Sequence, residues 1–360
     1  MENTLNFDNY KKYFSNKRIL ITGNAGFKGS WLSLFLTRLG SDVYGYSISK
    51  NLSPIFSLPE NKQFYADIKD FNELKRIVEK VSPDIIFHLA ASAITINSYS
   101  EPRETFETNV MGTLNVLESL RNLNIKCNAV VITSDKCYKN DEWIWAFRET
   151  DELGGVDPYS ASKSMAELAT KSYYYSYFMN SSNVKVSICR AGNVFGGGDW
   201  GEQRIVPECI RSWSKNRTLE LRNPDVVRPW NYVLDLINGY LLTAYHLESE
   251  DINGDSFCFG PPMSGVISVE DLTKALWNFW PDKSFTPYKI LLSEKGLIEN
   301  KLFKLFIDKA FNTLNWESTT NINDALNETV KWYTLYLSNP SKSLSFSNDI
   351  VERYICNHLK

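Results

Sequence analysis

Tyr159-Ser160-Ala161-Ser162-Lys163 sets a phenol and an ammonium four residues apart. On a helix that spacing puts both groups on one face. A free tyrosine titrates near pH 10 and is a poor base at neutral pH, but a neighbouring ammonium favours the phenolate. The pair suits removal of a proton from an alcohol. Upstream, Ser134-Asp135-Lys136 follows the apolar run Val130-Val131-Ile132 and Thr133. Polar side chains in a row at a strand end are not core. Ser134 is placed to hydrogen-bond a reacting oxygen beside Tyr159, and Asp135 and Lys136 add an acid and a base. A third group lies near the start: Gly23-Asn24-Ala25-Gly26-Phe27-Lys28-Gly29. Glycine permits positive φ at a tight turn and lets the backbone approach a phosphate. A helix beginning there would aim its free N–H groups and positive dipole end at a dinucleotide pyrophosphate. Together the three groups point to hydride exchange between a bound nicotinamide and a hydroxyl carbon.

The elements that must hold these residues alternate in period. Arg18–Thr22, Asp42–Tyr46, Gln63–Ala66, Asp84–Leu89, Ala129–Thr133 and Val184–Cys189 read as strands. Helical spacing lies between them, as in Trp31-Leu32-Leu34-Phe35-Leu36-Leu39 and Val110-Leu114-Val116-Leu117-Leu120. This alternation implies an α/β fold, a doubly wound parallel (Rossmann) sheet whose crevice lies at the strands' carboxyl ends. The second strand ends Tyr46-Ser47-Ile48-Ser49-Lys50, with no carboxylate to read a ribose. Ser47, Ser49 and Lys50 could accommodate either cofactor, so NAD and NADP both stay open, and Asp67-Ile68 is placed to meet the adenine edge. After about residue 195 glycine, proline and tryptophan become frequent, and a smaller mixed α/β domain is expected. The expected division is 1–194 for the dinucleotide domain, with 228–262 packing back on it, and 195–227 with 263–345 for the substrate domain. The serine- and asparagine-rich tail from about Ser338 is expected to wrap the surface or fray.

Bulk properties narrow the partners. The 360 residues carry a formal net charge of -3 and 22% charged residues. That balance gives no general attraction to nucleic acid or an anionic membrane. No apolar run approaches the roughly 20 residues that span a bilayer. Six scattered cysteines without a Cys-x-x-Cys pair fit reduced thiols in a cytoplasm, and the polar start shows no secretory signal. Three scattered histidines are too few for a histidine-rich metal site, so no metal is expected; His88, after a strand-like run, reads as structural.

The glycine turn, the Ser-Asp-Lys strand end and Tyr-Ser-Ala-Ser-Lys together resemble the extended short-chain dehydrogenase/reductase enzymes. Gly26-Phe27-Lys28-Gly29-Ser30-Trp31, Ser134-Asp135-Lys136-Cys137-Tyr138, Glu142-Trp143-Ile144-Trp145, Arg190-Ala191-Gly192-Asn193-Val194 and Arg228-Pro229-Trp230 narrow the resemblance to the CDP-glucose 4,6-dehydratase family. It runs from about Lys17 to Trp332. The resemblance implies bound NAD and three stages: oxidation at C4, loss of water across C5 and C6, and return of the hydride to C6. Tyr159 would take the 4-hydroxyl proton, Asp135 would protonate the leaving 6-hydroxyl, and Lys136 would assist at C5. Leu89, Ala90, Ala91 and Asn109 would join the glycine turn and Lys163 on the cofactor. Ser92, Asn193, Arg204 and Arg228 would meet the nucleotide sugar, the last three at its pyrophosphate. A homodimer, or a dimer of dimers, would form through a four-helix bundle of Val110–Asn122 and Pro158–Tyr177. The chain departs from that pattern after the fourth strand, where Ala-Ala-Gln-Pro-Leu-Val-Arg becomes Ala90-Ala91-Ser92-Ala93-Ile94-Thr95-Ile96, and at Asn231-Tyr232, where the family has Gln-His. Both lie where sugar or base would be read. The rival reading is a 4-epimerase or 4-dehydrogenase on the same scaffold, which has no use for Asp135 and Lys136.

Overall fold

The computed structural model describes residues 7–50, 53–121, 123–181, 183–249, 252–291 and 302–358. Among them the strands, in chain order, are β1 (Arg18–Thr22), β2 (Asp42–Ser47), β3 (Gln63–Tyr65), β4 (Ile85–His88), β5 (Cys127–Ile132), β6 (Val184–Ala191), β7 (Asn193–Phe195), β8 (Leu219–Leu221), β9 (Val227–Tyr232), β10 (Ser256–Phe259), β11 (Val266–Ser268) and β12 (Tyr288–Ile290). Seven of them make one sheet in the order β10-β6-β5-β4-β1-β2-β3. Every neighbouring pair is parallel. The chain winds outward from β1 to β3, then restarts at β4 on the other side of β1. That reversal opens a crevice beyond the carboxyl ends of β1 and β4, where ligands of such sheets bind.

A parallel sheet covered on both faces needs strands that are apolar throughout. All residues of β4 and β5 are buried, and so are four of the five in β1. The pleat then sorts them. Ile19 and Ile21 face a core built with the helices Phe27–Arg38 and Val233–Ser249. Leu20, Ile86, Ala129 and Val131 face the opposite core, with Leu74, Ile77, Val116 and Leu117 from the helices Phe71–Val81 and Gly112–Arg121. Burial at roughly 25 cal/mol per Å² of apolar surface makes these two cores the main stabilising term.

The remaining strands make a three-stranded sheet, β11-β9-β7, and a parallel pair, β12-β8. The first of these leads out of the main sheet, because β7 follows β6 after one residue and pairs with β9. The expected surface tail is instead a docked helix. Ser343–His358 is helical and buries Ile350, Val351 and Tyr354 among the core that holds Phe35 of the Phe27–Arg38 helix. Tyr354 Oη donates to the buried Asp235 carboxylate at 2.9 Å. The expected helix Val110–Asn122 begins earlier: Pro102–Phe106 runs through a π-turn, Glu107–Met111, into Gly112–Arg121, and Asn122 lies outside the described residues.

Candidate active site

The turn after β1 is a backbone cradle. Gly23 has φ +75° and its N–H donates to the Tyr46 carbonyl on β2 at 2.7 Å. A Cβ on Gly23 would lie 2.8 Å from the Ala90 nitrogen, and one on Gly29 only 2.2 Å from the Gly23 carbonyl oxygen. The turn, the loop after β4 and the first helical turn therefore touch with no room for side chains. Gly26 caps the Phe27–Arg38 helix with no side-chain hydrogen bond, so the N–H groups there keep no internal anion. Asn24 is not on this face; its amide pairs with Gln63 of β3, at 2.6 and 3.2 Å. Beside the turn, Asn24, Ala25, Ser49, Ser53, Ser57 and Gln63 line a pocket with hydroxyl and amide groups. Ser47 is buried and its Oγ accepts from Ser49 N. Asp67 accepts from Lys69 N at 2.9 Å, and the Ile68 side chain is part of the core against Gly112. An uncapped helix start, a side-chain-free cradle and a neutral pocket beyond β2 fit a dinucleotide such as NAD.

The end of β4 is locked beside this turn. His88 is buried, with Nδ1 2.7 Å from Thr22 Oγ1 and Nε2 3.0 Å from Thr113 Oγ1. Thr113 donates onward to the Asn109 carbonyl, so it accepts from His88 Nε2–H, and Thr22 donates to Nδ1. Burial first, then Lys163, pushes the imidazole down to about 3, and it stays neutral. Leu89 N and Ala90 N bond Thr22, which fixes Leu89-Ala90-Ala91 against the glycine turn. Asn109 sits in the π-turn and its amide binds both backbone groups of Ser92 and Ser162 Oγ. Its side chain thus holds the Ser92 loop to the Tyr159 helix rather than reaching into the crevice.

The end of β5 meets the helix Pro158–Tyr173. Asp157 caps that helix by accepting from Ser160 N, with Pro158 at its first position. Ser134 starts a short 3₁₀ turn, Asp135–Cys137, and accepts from Lys136 N at 3.2 Å. Tyr159 is 8% exposed and Lys163 6%. Burial lifts the Tyr159 phenol to about 12; a hydrogen bond with Ser134 opposes it, Asp135 adds to it, and Arg204 opposes it. The expectation that Lys163 brings the phenol toward neutrality fails in the chain alone. Lys163 Nζ instead donates to the Ile132 carbonyl at 3.4 Å. Burial brings its ammonium down to about 8, against the pull of Glu167 and Cys137. Asp135 is 3% exposed; burial raises its carboxyl against Lys136 and Arg228. Its Oδ1 accepts from Ser134 while Oδ2, also buried, has no partner. Lys136 Nζ donates to Thr95 Oγ1 at 3.0 Å.

Cations converge on these groups. Lys28, read from the sequence as part of the turn, turns its side chain inward, with Nζ 6.0 Å from the centre of the Tyr240 ring. Burial, then Lys163 and Arg204, lower it to about 7 against Asp135 and Asp199. Arg204 pairs with Asp199 at 3.0 Å. Arg228 is 2% exposed and lies over Phe303, 5.5 Å from its centre. Asn193 opens β7, opposite Trp230 of β9. Three participants were given no role from sequence, although Arg190 stands in a quoted motif. Glu167 and Arg190 form an ion pair, both fully buried, and Glu167 accepts from Thr133. Asp199 follows Gly196-Gly197-Gly198, and only its salt bridge with Arg204 reveals its place.

A family model described as GDP-mannose 4,6 dehydratase matches residues 20–257. A CDP-glucose 4,6-dehydratase of Salmonella typhimurium is 38% identical over 339 residues, 91% of this chain and 93% of that protein. Among solved structures, an epimerase of Methanothermobacter thermautotrophicus superposes with a TM-score of 0.81 at 24% identity, covering 95% of this chain and 99% of the other. A dTDP-glucose 4,6-dehydratase of Bacillus anthracis in complex with NAD gives 0.71 at 20% identity, over 90% and 97%. These two likenesses establish the shared fold.

Proposed function

This chain belongs to the GDP-mannose 4,6-dehydratase family, within the extended short-chain dehydrogenase/reductase enzymes, and from that membership we infer that it converts CDP-glucose, or a close analogue, to the 4-keto-6-deoxy nucleotide sugar. The observation that carries this reading is Asp135. It is a buried carboxyl raised by its surroundings, with one oxygen unpartnered, two strand-end residues from Thr133 and beside Lys136. Such a group holds a proton ready for a leaving hydroxyl. A 4-epimerase needs no such donor.

NAD, held by the glycine turn and Lys163, would supply the hydride acceptor for C4 and the donor for C6, and in its oxidised form a positive charge that favours the phenolate. Tyr159 takes the 4-hydroxyl proton, with Ser134 holding the same oxygen. The C4 ketone acidifies C5–H. Lys136 receives or relays that proton while Asp135 protonates the departing 6-hydroxyl. Lys163 would donate to the nicotinamide ribose, and the glycine turn would offer its N–H groups to the pyrophosphate. Arg204 and Arg228 with Asn193 take the substrate diphosphate, since a guanidinium pairs two phosphate oxygens at once. The domain division anticipated from sequence, with 1–194 holding NAD and 195–227 with 263–345 closing over the sugar, suits this assignment.

Two copies are proposed to pair through the bundle anticipated from sequence, Val110–Asn122 with Pro158–Tyr177, supported by the exposed Met111, Met165 and Leu168. No helix among the described residues is long and apolar enough to cross a membrane. A cytoplasmic site, where nucleotide sugars are made, is the proposed location.

The test is CDP-glucose deuterated at C4, incubated with the NAD-loaded protein. The product should lose one water in mass and carry deuterium in its new methyl group. Unchanged mass with C4 inverted would assign an epimerase instead.

A further inference from the structure

The structure assigns the buried Glu167–Arg190 ion pair a positioning role: it brackets the Ser134–Cys137 turn at both ends and fixes it against the helix that carries Tyr159 and Lys163. This rests on the 4,6-dehydratase reading of the site.

Both side chains are 0% exposed. Arg190 Nε reaches Glu167 Oε1 at 2.8 Å and Oε2 at 2.9 Å, and Nη2 also bonds Oε2. Charges so deeply buried are a poor source of stability, because well-packed apolar replacements are often as stable or more so. Their partners explain them better. Thr133 Oγ1, one residue before Ser134, donates to Glu167 Oε1 at 2.6 Å. Arg190 Nη1 donates to Tyr138 Oη, one residue after Cys137, at 2.7 Å, and the guanidinium lies over that ring at 4.9 Å. The same Nη1 holds the Glu149 carbonyl at 3.1 Å. The turn bearing Ser134, Asp135 and Lys136 is therefore pinned immediately upstream through the carboxylate and immediately downstream through the guanidinium. Ser164 Oγ adds a bond to the Cys137 carbonyl at 2.7 Å.

The helix grips β5 twice, one turn apart. Lys163 binds the Ile132 carbonyl and Glu167 binds Thr133. Glu167 is also the carboxylate that faces Lys163. The other titratable groups acting on Lys163 or acted on by it are Cys137 from the turn, Lys28 from the Phe27–Arg38 helix and His88 from β4. Burial keeps Cys137 a thiol and His88 neutral, and Lys28 is a like charge. Glu167 is thus what holds Lys163 protonated. An apolar residue at 167 could fill the volume but could neither hold Thr133 nor favour that ammonium.

The test uses the NAD-loaded protein and CDP-glucose. Thr133→Val removes the donor without changing charge or volume. It should lower kcat at least about tenfold with KM within about twofold, since small misplacements of reacting groups cost rate. Thr133→Ser should restore most of it. Glu167→Gln should move the pH at which NAD binding weakens, followed by calorimetry, at least about half a unit to the acid side. Thr133→Val should leave that pH where it is. A Thr133→Val protein with kcat within twofold of the parent, or an unmoved pH limb in Glu167→Gln, would overturn the role. If Glu167→Gln does not fold, the Thr133 pair decides alone. If the unaltered protein removes no water from any nucleotide sugar, the assigned reaction fails, and the NAD-binding limb still judges the ion pair.

Discussion

Tyr159 keeps its proton at neutral pH in the chain alone, because burial lifts the phenol to about 12 and Ser134 and Arg204 offset it only in part. A working base must therefore be charged by what binds beside it, so activity should rise with pH through a limb well below that value. Tyr159→Phe should cut turnover at least about a thousandfold while NAD affinity and melting temperature stay close to the parent's, because only one oxygen is lost. Dialysis followed by absorbance of retained NAD, alongside a kcat measurement, checks both. Lys28 offers a second measurement. Its ammonium is depressed to about 7 by burial, then by Lys163 and Arg204. The unfolded chain holds that proton up to about 10.4. Between those values the unfolded state binds more protons, so stability rises with pH, by up to about 1.4 kcal/mol per unit from this group. Lys163, depressed to about 8, adds the same sign over a narrower window. Lys28→Met should therefore raise the melting temperature of the cofactor-free protein more at pH 6 than at pH 9. An equal gain at both would locate the ammonium in solvent.

At the scale of elements, the glycine cradle works by contact rather than flexibility. A methyl on Gly29 meets the Gly23 carbonyl and Asn24 Cα, both backbone. Gly29→Ala must part the helix from the turn and should weaken NAD binding at least about tenfold, read by titration, with a stability loss of about 1–3 kcal/mol in urea. This element was legible from sequence, because strand, glycines and helix follow one another in the chain. β1, β4 and β5 were legible for a related reason. A parallel strand covered on both faces is apolar at nearly every position, and expected and observed ends differ by two residues or fewer. What the chain hid is what forms across distance. Glu167 and Arg190 sit on a helix and a strand, 23 residues apart, where no periodicity pairs them. The Tyr159–Lys163 spacing was read correctly as one helical face, but spacing could not show that the Ile132 carbonyl would claim the lysine. Asn109 was read as a cofactor ligand, and only the fold shows its amide spent on Ser92 and Ser162. The serine-rich composition of Ser343–His358 masked Ile350, Val351 and Tyr354, which share one face.

At the scale of the whole molecule, stretches far apart in the chain are packed together. Asp235 is fully buried and accepts from Ser318 and Thr320 in one stretch of the C-terminal part and from Tyr354 in another. The Ser343–His358 helix leans on the Phe27–Arg38 helix, whose start faces the proposed pyrophosphate. A chain ending at Asn339 should lose NAD binding and most of its thermal stability, although it retains every residue assigned to chemistry or binding; a truncated protein that binds NAD as tightly as the parent would refute the brace. The arrangement also couples two stretches that lie far apart in the chain: urea that melts the Ser343–His358 helix should release bound coenzyme at the same midpoint, because Tyr354 and Phe35 share one core.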